Sequence, residues 1–431
     1  MQLAFITLYA LVLGAGLALS WLNLRHQARE GAVVPGELEG HVDPEQLAKI
    51  ATYTRDRARF GMLRTALDGV LYALFLFGGP LGGYDHLIGG FSGSFVLGGT
   101  CFFLGLVAVR ALWELPFSYY ATFVIEARHG FNRMSRGLFF GDWVKSTLLS
   151  LLFAGGFAAL ALWLVASAPG SWWLWVWLGF VSVSVLLTFA APYVIEPLFF
   201  KMEPLAAEHL AAGVEQLAER AGVRVKRVLT MDASRRSAHS NAYFTGLGRV
   251  KRVVLFDTLL EQMTEGEILA VLAHELGHWK KHHVLVRFGV SFTVSLVVLF
   301  VAHRLVGAAF VPALAGLETA SFTARALVLS AVGSVLAFPL TPLGAAWSRR
   351  DERQADRFAV ELSGRARELA DALAKLARDN LSNLHPHPWY AKFYYSHPPV
   401  TERIRNLRQA TLGGSGRASS SPSDPRCSSG A

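Results

Sequence analysis

His274-Glu275-Leu276-Gly277-His278 sets two imidazoles four residues apart with a carboxylate between them. On a helix, residues i and i+4 share a face, so both rings can aim a nitrogen at one metal ion. Glu275, one position round, then sits beside the metal's open coordination position. Such a carboxylate can take a proton from an attacking water and return it to a leaving amine, which is the general-base chemistry of peptide hydrolysis. Zinc suits this site, because it accepts imidazole and carboxylate ligands, undergoes no redox change and acidifies water.

A third protein ligand is needed, and Glu352 in Asp351-Glu352-Arg353-Gln354-Ala355-Asp356 is the candidate, expected at the start of a helix. Asp356, four residues on and on the same face, could accept a hydrogen bond from a liganding histidine and fix its tautomer. The same stretch also reads as a solvated helix face in which acids alternate with Arg349, Arg350, Arg353 and Arg357. Taken alone, the residues favour that plainer reading.

The HExxH segment falls in a predicted helix over 265–283, opened by Thr264 with Glu265 and Glu267 in its first turn. Upstream, 204–222 has amphipathic helical spacing, and Val223 to Thr230 and Val250 to Phe256 read as two strands of a small sheet. These belong to a catalytic segment over 195–283. A second piece over 348–410 comprises a helical stretch to 378, a proline-rich loop over 380–400 and a short basic helix over 400–410. From 411 to 431 the chain is Gly, Ser and Pro with few apolar groups, the composition of a disordered tail.

Between and before these pieces the chain is too apolar for a soluble protein, with 52% hydrophobic and 17% charged residues among 431. Seven apolar runs have the length of a membrane helix: 3–22, 63–83, 95–113, 146–167, 171–194, 284–307 and 324–347. They make a mainly α membrane protein of two membrane segments, 1–194 and 284–347, with the second run broken by Gly78, Gly79 and Pro80. The first run lacks a basic leader and reads as an uncleaved helix. Arg25, Arg29, Lys49, Arg55, Arg57 and Arg59 follow span one, and Arg128, Arg133, Arg136 and Lys145 follow span three, whereas 84–94, 168–170 and 308–323 carry no Lys or Arg. Basic loops are retained on the cytoplasmic side, so the N-terminus is expected outside and the catalytic segments inside. The net charge of +9 is then explained by the lipid bilayer and needs no nucleic acid. Cys101 and Cys427 have no second cysteine at metal-ligand spacing. The Ala-, Gly- and Arg-rich composition suggests a bacterial inner membrane.

Beyond these local readings, the chain resembles the type I CAAX prenyl endopeptidases along most of its length. The matching strings are Tyr53-Thr54-Arg55, Phe123 to Asn132, Glu196-Pro197-Leu198-Phe199, Ser240 to Phe244, Val254 to Leu260, the HELGHW segment at 274–279, and Ser396 to Pro399 followed by Glu402-Arg403. The resemblance implies seven helices around a chamber, with a zinc site at its cytoplasmic end. Carried over by position, His274, His278 and Glu352 are the implied ligands, Glu275 the base and Asp356 the accompanying acid, which reverses the isolated reading of Glu352. Asn241, Ala242 and Tyr243 match a strand whose edge lines the cleft, where a peptide substrate can add through its backbone. His397 and Arg403 match residues that steady the oxyanion or the substrate's terminal carboxylate. One departure stands out: the implied family has aromatic residues beside the acidic motif, where this chain has Asp351 and Arg353. His282, His283, His385 and His387 are read as surface or structural.

The expected function is metal-assisted hydrolysis of prenylated or membrane-associated peptides, or of misfolded membrane proteins in quality control. A transporter or scaffold is the competing class. Among the ionisable residues near the spans, Arg110, His303 and Arg304 all lie close to span ends, which is not the pattern of an ion pathway.

Overall fold

A computed structural model of the protein describes residues 1–245 and 250–415. It begins with α1 (Gln2–Glu30), α2 (Pro44–Phe77), the short α3 (Pro80–Phe91) and α4 (Phe95–Tyr120), which runs on through a π-helical turn, Ala121–Glu126. After α5 (Arg136–Ser167), α6 (Trp172–Ala190) passes through a second π turn into α7 (Glu196–Phe199). The catalytic segment holds β1 (Met202–Pro204), α8 (Glu208–Arg220), β2 (Arg224–Met231), β3 (Ala242–Thr245), β4 (Val250–Phe256), α9 (Asp257–Gln262) and α10 (Glu265–Lys280). Then come α11 (His283–Leu305), α12 (Phe310–Leu314), α13 (Phe322–Ala337), α14 (Thr341–Ser363), α15 (Ala366–Asp379), α16 (Pro388–Tyr394) and α17 (Val400–Ser415).

Seven of these helical runs are long and apolar enough to cross a membrane, matching the seven expected spans. Two of them differ from expectation, each because of proline or glycine. The second span ends at Phe77, where Gly79 adopts φ 101°, and Pro80 starts α3 at its first turn, so 84–94 is largely helix rather than loop. The seventh does not stop at 347. Pro339 cannot donate to the ladder, and Phe338–Leu340 tightens into a 3-10 turn, after which α14 carries the rod on to Ser363. Glu352 therefore sits in the middle of a helix, not at the start of one. Gly364, at φ 68°, closes α14 and separates it from α15.

Smaller differences follow the same logic. The expected loop over 380–400 contains α16, opened by Pro388 and capped by the His387 side chain. The last helix runs five residues past the expected 410, and 416–431 of the expected tail lie outside the described residues.

The sheet is ordered β1-β2-β4-β3, with β2 and β4 parallel and the outer strands antiparallel to their neighbours. β3 pairs through Ala242 with Leu255 and Thr245 with Arg252, leaving its other edge open. That short strand was not separately readable from alternation.

Two hydrophobic cores sit at opposite ends of the spans. One joins Leu38, Leu47, Ile50 and Tyr53 to α8, the sheet, α10, α15 and Ile404 of α17. The other joins Phe5 of α1, Leu76 of α2, Leu81 of α3, Phe102 of α4 and Val311 of α12 to α13. Between them the spans pack sparsely, with no more than 17% of any membrane-length window buried. A solid bundle would bury a stripe of every helix. Helices tied at both ends by these cores are not packed against one another along their whole length.

Candidate active site

α10 is held rigidly before it presents any chemistry. Thr264 and Glu267 form a reciprocal capping box at its start, and Glu267 also receives Lys375 Nζ at 2.8 Å. Ile268, Leu272, Ala273 and Leu276 bury one side of the helix in the core. The other side turns His274 and His278 toward α14.

α14 comes unusually close because of Gly277. A Cβ there would stand 2.9 Å from Ala355 Cα and 3.1 Å from Ala355 O, so only glycine allows this approach. Ionic contacts hold α14 at that distance on both flanks. Arg287 of α11 gives Nη2 to Asp351 at 2.9 Å, and Arg353 gives Nη2 to Glu402 of α17 at 2.8 Å. These links occupy the two positions at which the resemblance has aromatic residues.

Three donor groups then converge. His278 Nε2 lies 3.3 Å from His274 Nε2 and 3.2 Å from Glu352 Oε1, and His274 Nε2 lies 3.4 Å from Glu352 Oε2. One ligand atom from each of the three falls within 4.8 Å of the others. Glu352 is 2% exposed, and its Oε2 accepts no well-aligned hydrogen bond although His397 Nδ1 is 2.8 Å away. A buried carboxylate oxygen left without a donor, facing two imidazole nitrogens, fits a divalent cation.

The far nitrogens of both rings are engaged so as to leave those Nε2 lone pairs free. His274 Nδ1 is 2.8 Å from Asp356 Oδ1, a carboxylate that can only accept, so Nδ1 carries the proton. Asp356 is itself fixed by Arg403, through Nε at 2.9 Å and Nη2 at 2.6 Å. His278 Nδ1 is 3.1 Å from His283 Nδ1, and His283 Nε2 is 3.1 Å from Gln354 Oε1. With His283 donating to the Gln354 oxygen, its Nδ1 accepts from His278, and His278 Nε2 faces the metal position bare.

The electrostatics agree. Burial works against a charged His274, but hydrogen bonds to Asp356 and then Glu352 outweigh it and raise its pKa from 6.5 to about 9. Burial likewise opposes the Arg403 charge, and the Asp356 and Glu352 carboxylates overcome it. The cluster attracts positive charge strongly.

Every residue singled out in the sequence has a definite place. Glu275 is half-buried and makes no hydrogen bond or ion pair among the described residues, and its charge is felt by Arg403. His397 stands beside Glu352 with a side chain 62% exposed, open to the cleft. Arg403, 9% exposed, lies behind His274, with Nη2 3.3 Å from His274 Nδ1 and Nη1 3.6 Å from Glu352 Oε2. Asn241 uses Oδ1 to accept from the Ala242 backbone at the head of β3, Ala242 is buried, and Tyr243 donates its hydroxyl to Glu196 Oε2 at 3.0 Å. His283 and Gln354 are the residues that sequence reasoning missed. His283 begins α11 after His282 adopts φ 58°, so its approach to His278 follows no helical spacing.

Such a site on helices of membrane length defines an integral membrane metallopeptidase. Residues 23–201 match the family described as CAAX prenyl protease N-terminal, five membrane helices, and residues 204–411 match peptidase family M48. The chain is 33% identical over 410 residues to CAAX prenyl protease 1 homolog of Oryza sativa subsp. japonica, covering 91% of this chain and 94% of that protein. It is 34% identical over 428 residues to CAAX prenyl protease 1 homolog of Homo sapiens, covering 87% and 88%. The crystal structure of S. mikatae Ste24p superposes with a TM-score of 0.88 at 28% identity, over 94% of this chain and 98% of that one. The chain belongs to the CAAX prenyl protease family of M48 peptidases, and it is a multi-pass membrane metalloendopeptidase.

Proposed function

We propose that the metal is zinc, held by His274, His278 and Glu352, and that Glu275 is the general base for hydrolysis of a peptide bond. The observation that carries this is the convergence of His274 Nε2, His278 Nε2 and Glu352 beside the Glu275 carboxylate. When bound, zinc supplies Lewis acidity that polarises the scissile carbonyl and acidifies water. Glu275 accepts the proton of the attacking water and delivers it to the leaving amine, with no covalent intermediate. His397, exposed beside Glu352, is placed to donate to the developing oxyanion. Asp356, held by Arg403, keeps His274 in the tautomer that ligation needs. The open edge of β3, from Asn241 to Tyr243, offers backbone groups to which a substrate strand can pair.

We take 195–283 and 348–410 as one catalytic unit interrupted by two spans, because one core joins them. The basic segments after spans one and three support a site on the cytoplasmic face, and the Ala-, Gly- and Arg-rich composition supports a bacterial inner membrane. Prenylated CaaX peptides are the first substrate class, on the names of the relatives. The test is cleavage of a farnesylated CaaX peptide and of unfolded casein by detergent-purified protein, with metal content measured on the same preparation. Glu275→Gln is expected to keep stoichiometric zinc and to lose about 10²–10⁴-fold in kcat. Undiminished cleavage by that variant overturns the mechanism, and preparations active without zinc overturn the metal.

A further inference from the structure

α4 and α6 each run as regular α-helix along a membrane-length stretch and then widen into a π turn, Ala121–Glu126 in one and Ala191–Ile195 in the other. Such turns are rare and are frequent at functional sites; the extra residue rotates the side chains beyond it by about 100° around the axis. Each turn here delivers a glutamate. Glu126 is the last residue of the first turn, and Glu196 directly follows the second.

Both glutamates reach the strand proposed above to receive substrate. Glu126 Oε2 lies 3.4 Å from Nε2 of His239, two residues before Asn241, while its Oε1 accepts from the Tyr53 hydroxyl at 2.9 Å. Glu196 Oε2 accepts from the Tyr243 hydroxyl on β3 at 3.0 Å. Neighbouring contacts run the same way. Just beyond the first turn, Phe131 O accepts from Ala238 N at 3.1 Å, and the Phe131 ring stacks on His239 at 4.1 Å. Within the second, Pro192 O accepts from Arg252 Nη1 at 3.3 Å, and that guanidinium lies over the Tyr193 ring. Arg252 is the β4 residue paired with Thr245 of β3. One span therefore holds the chain entering β3, and the other holds the strand itself.

β3 needs this support. It is four residues long and pairs with β4 alone. Alternation turns Ala242 and Phe244 into the core shared with α10, and Tyr243 to the opposite face, where Glu196 meets it. An edge that receives a peptide backbone must be held to about 0.5 Å for its hydrogen bonds to form in register with the metal site.

We propose that Glu126 and Glu196 are positioning residues, which hang the open edge of β3 from spans α4 and α6 and so set the backbone of a bound peptide at the metal site. They act through the strand rather than on the reacting groups. The inference rests on the reading of β3 as the substrate-pairing edge, and the experiment separates the two. Initial rates are measured for a farnesylated CaaX peptide and for copies of it that each carry one backbone N-methyl group. The proteins are wild type, Tyr243→Phe, Glu196→Ala, the two combined, Glu196→Gln, Glu126→Gln and Glu275→Gln, with metal content determined for each.

A paired strand offers alternate amides to its neighbour, so wild type is expected to lose rate about 3–10-fold when alternate positions are methylated. Tyr243→Phe and Glu196→Ala each raise KM about 3–10-fold with kcat and metal content unchanged, and they flatten the alternation. The double variant is no worse than either, because a single bond joins the pair. Glu196→Gln keeps an accepting oxygen and retains most of the wild-type KM. Glu126→Gln gives up the ionic partner of His239 and raises KM about 2–5-fold. Unchanged KM in Tyr243→Phe and Glu196→Ala, or a loss confined to kcat as a less stable fold would give, overturns the proposal. Absence of alternation in wild type removes β3 as the pairing edge, and the proposal falls with that reading. If Glu275→Gln cleaves at the wild-type rate, the hydrolytic mechanism fails while KM and alternation still decide on the two glutamates.

Discussion

His283 does for His278 what Asp356 does for His274, yet it is an imidazole rather than a carboxylate and relies on Gln354 to set its own tautomer. Such supporting partners are worth about 10–100-fold in metal affinity. His283→Phe keeps an aromatic ring against His278 but cannot accept its proton. The variant is expected to lose metal to a chelator about 10–100-fold more readily than wild type, and unchanged affinity would remove His283 from the site. The raised pKa of His274 carries a second expectation, for the metal-stripped protein. A folded-state value of about 9 against 6.5 means that protonation stabilises the fold fully below pH 6.5 and that this contribution is lost as pH rises through 9. The melting temperature of chelated protein should fall across that interval; a rise there would contradict the assigned contacts with Asp356 and Glu352. The two candidate ligands on α10 were legible as a pair because one helical interval encodes both. Glu352 was ambiguous because its acids and arginines also describe a wet helix face, and its 2% exposure is a property of packing that no local pattern contains.

Between elements, the decisive contact is the α10–α14 crossing at Gly277. Glycine inside a helix costs about 1 kcal/mol relative to alanine, so Gly277→Ala would stabilise an isolated α10. Here the new methyl meets backbone atoms of Ala355 at 2.9 and 3.1 Å, and overpacking of that kind costs about 1–3 kcal/mol. The steric cost wins. Gly277→Ala is expected to lower the melting temperature and, by pushing α14 outward, to separate Glu352 from the histidines and reduce metal occupancy. Ala355→Gly in the same chain relieves the 3.2 Å contact with the Ala355 methyl but not the one with its Cα, so rescue is partial. A variant as stable and as well loaded as wild type would show that the crossing tolerates a wider spacing. Element type was readable wherever apolar spacing ran long, as in α1, α5 and α11. It failed where proline did something other than stop a helix. Pro80 and Pro388 each start one, and the turn at Pro339 joins α13 to α14.

At the scale of the whole molecule, an odd number of spans fixes a polarity. α1 begins at the core that includes Phe5 and Val311, whereas α17 ends in the core that includes the sheet and α10. The two cores must therefore lie on opposite sides of the bilayer, and the count of seven was legible from length and composition alone. The sparse packing between them was not, because a lipid-facing run and a chamber-facing run are equally apolar in sequence. The expectation of which core is inside rests on basic residues at the span ends: Arg25, Arg29, Lys49 and Arg55 flank residues 31–43, which connect α1 to α2 next to the catalytic core, whereas Ala168 to Ser171, without Lys or Arg, connect α5 to α6 at the far end. Glu39 and Gly170 are both exposed, and single cysteines at these positions report the two faces once Cys101 and Cys427 are replaced by serine. A membrane-impermeant thiol reagent applied to intact cells or right-side-out vesicles is expected to label Gly170→Cys and spare Glu39→Cys, with the pattern exchanged in inverted vesicles. Labelling of both from one side would break the seven-span count. The exchanged pattern in intact cells would keep the count and move the metal site to the outer face.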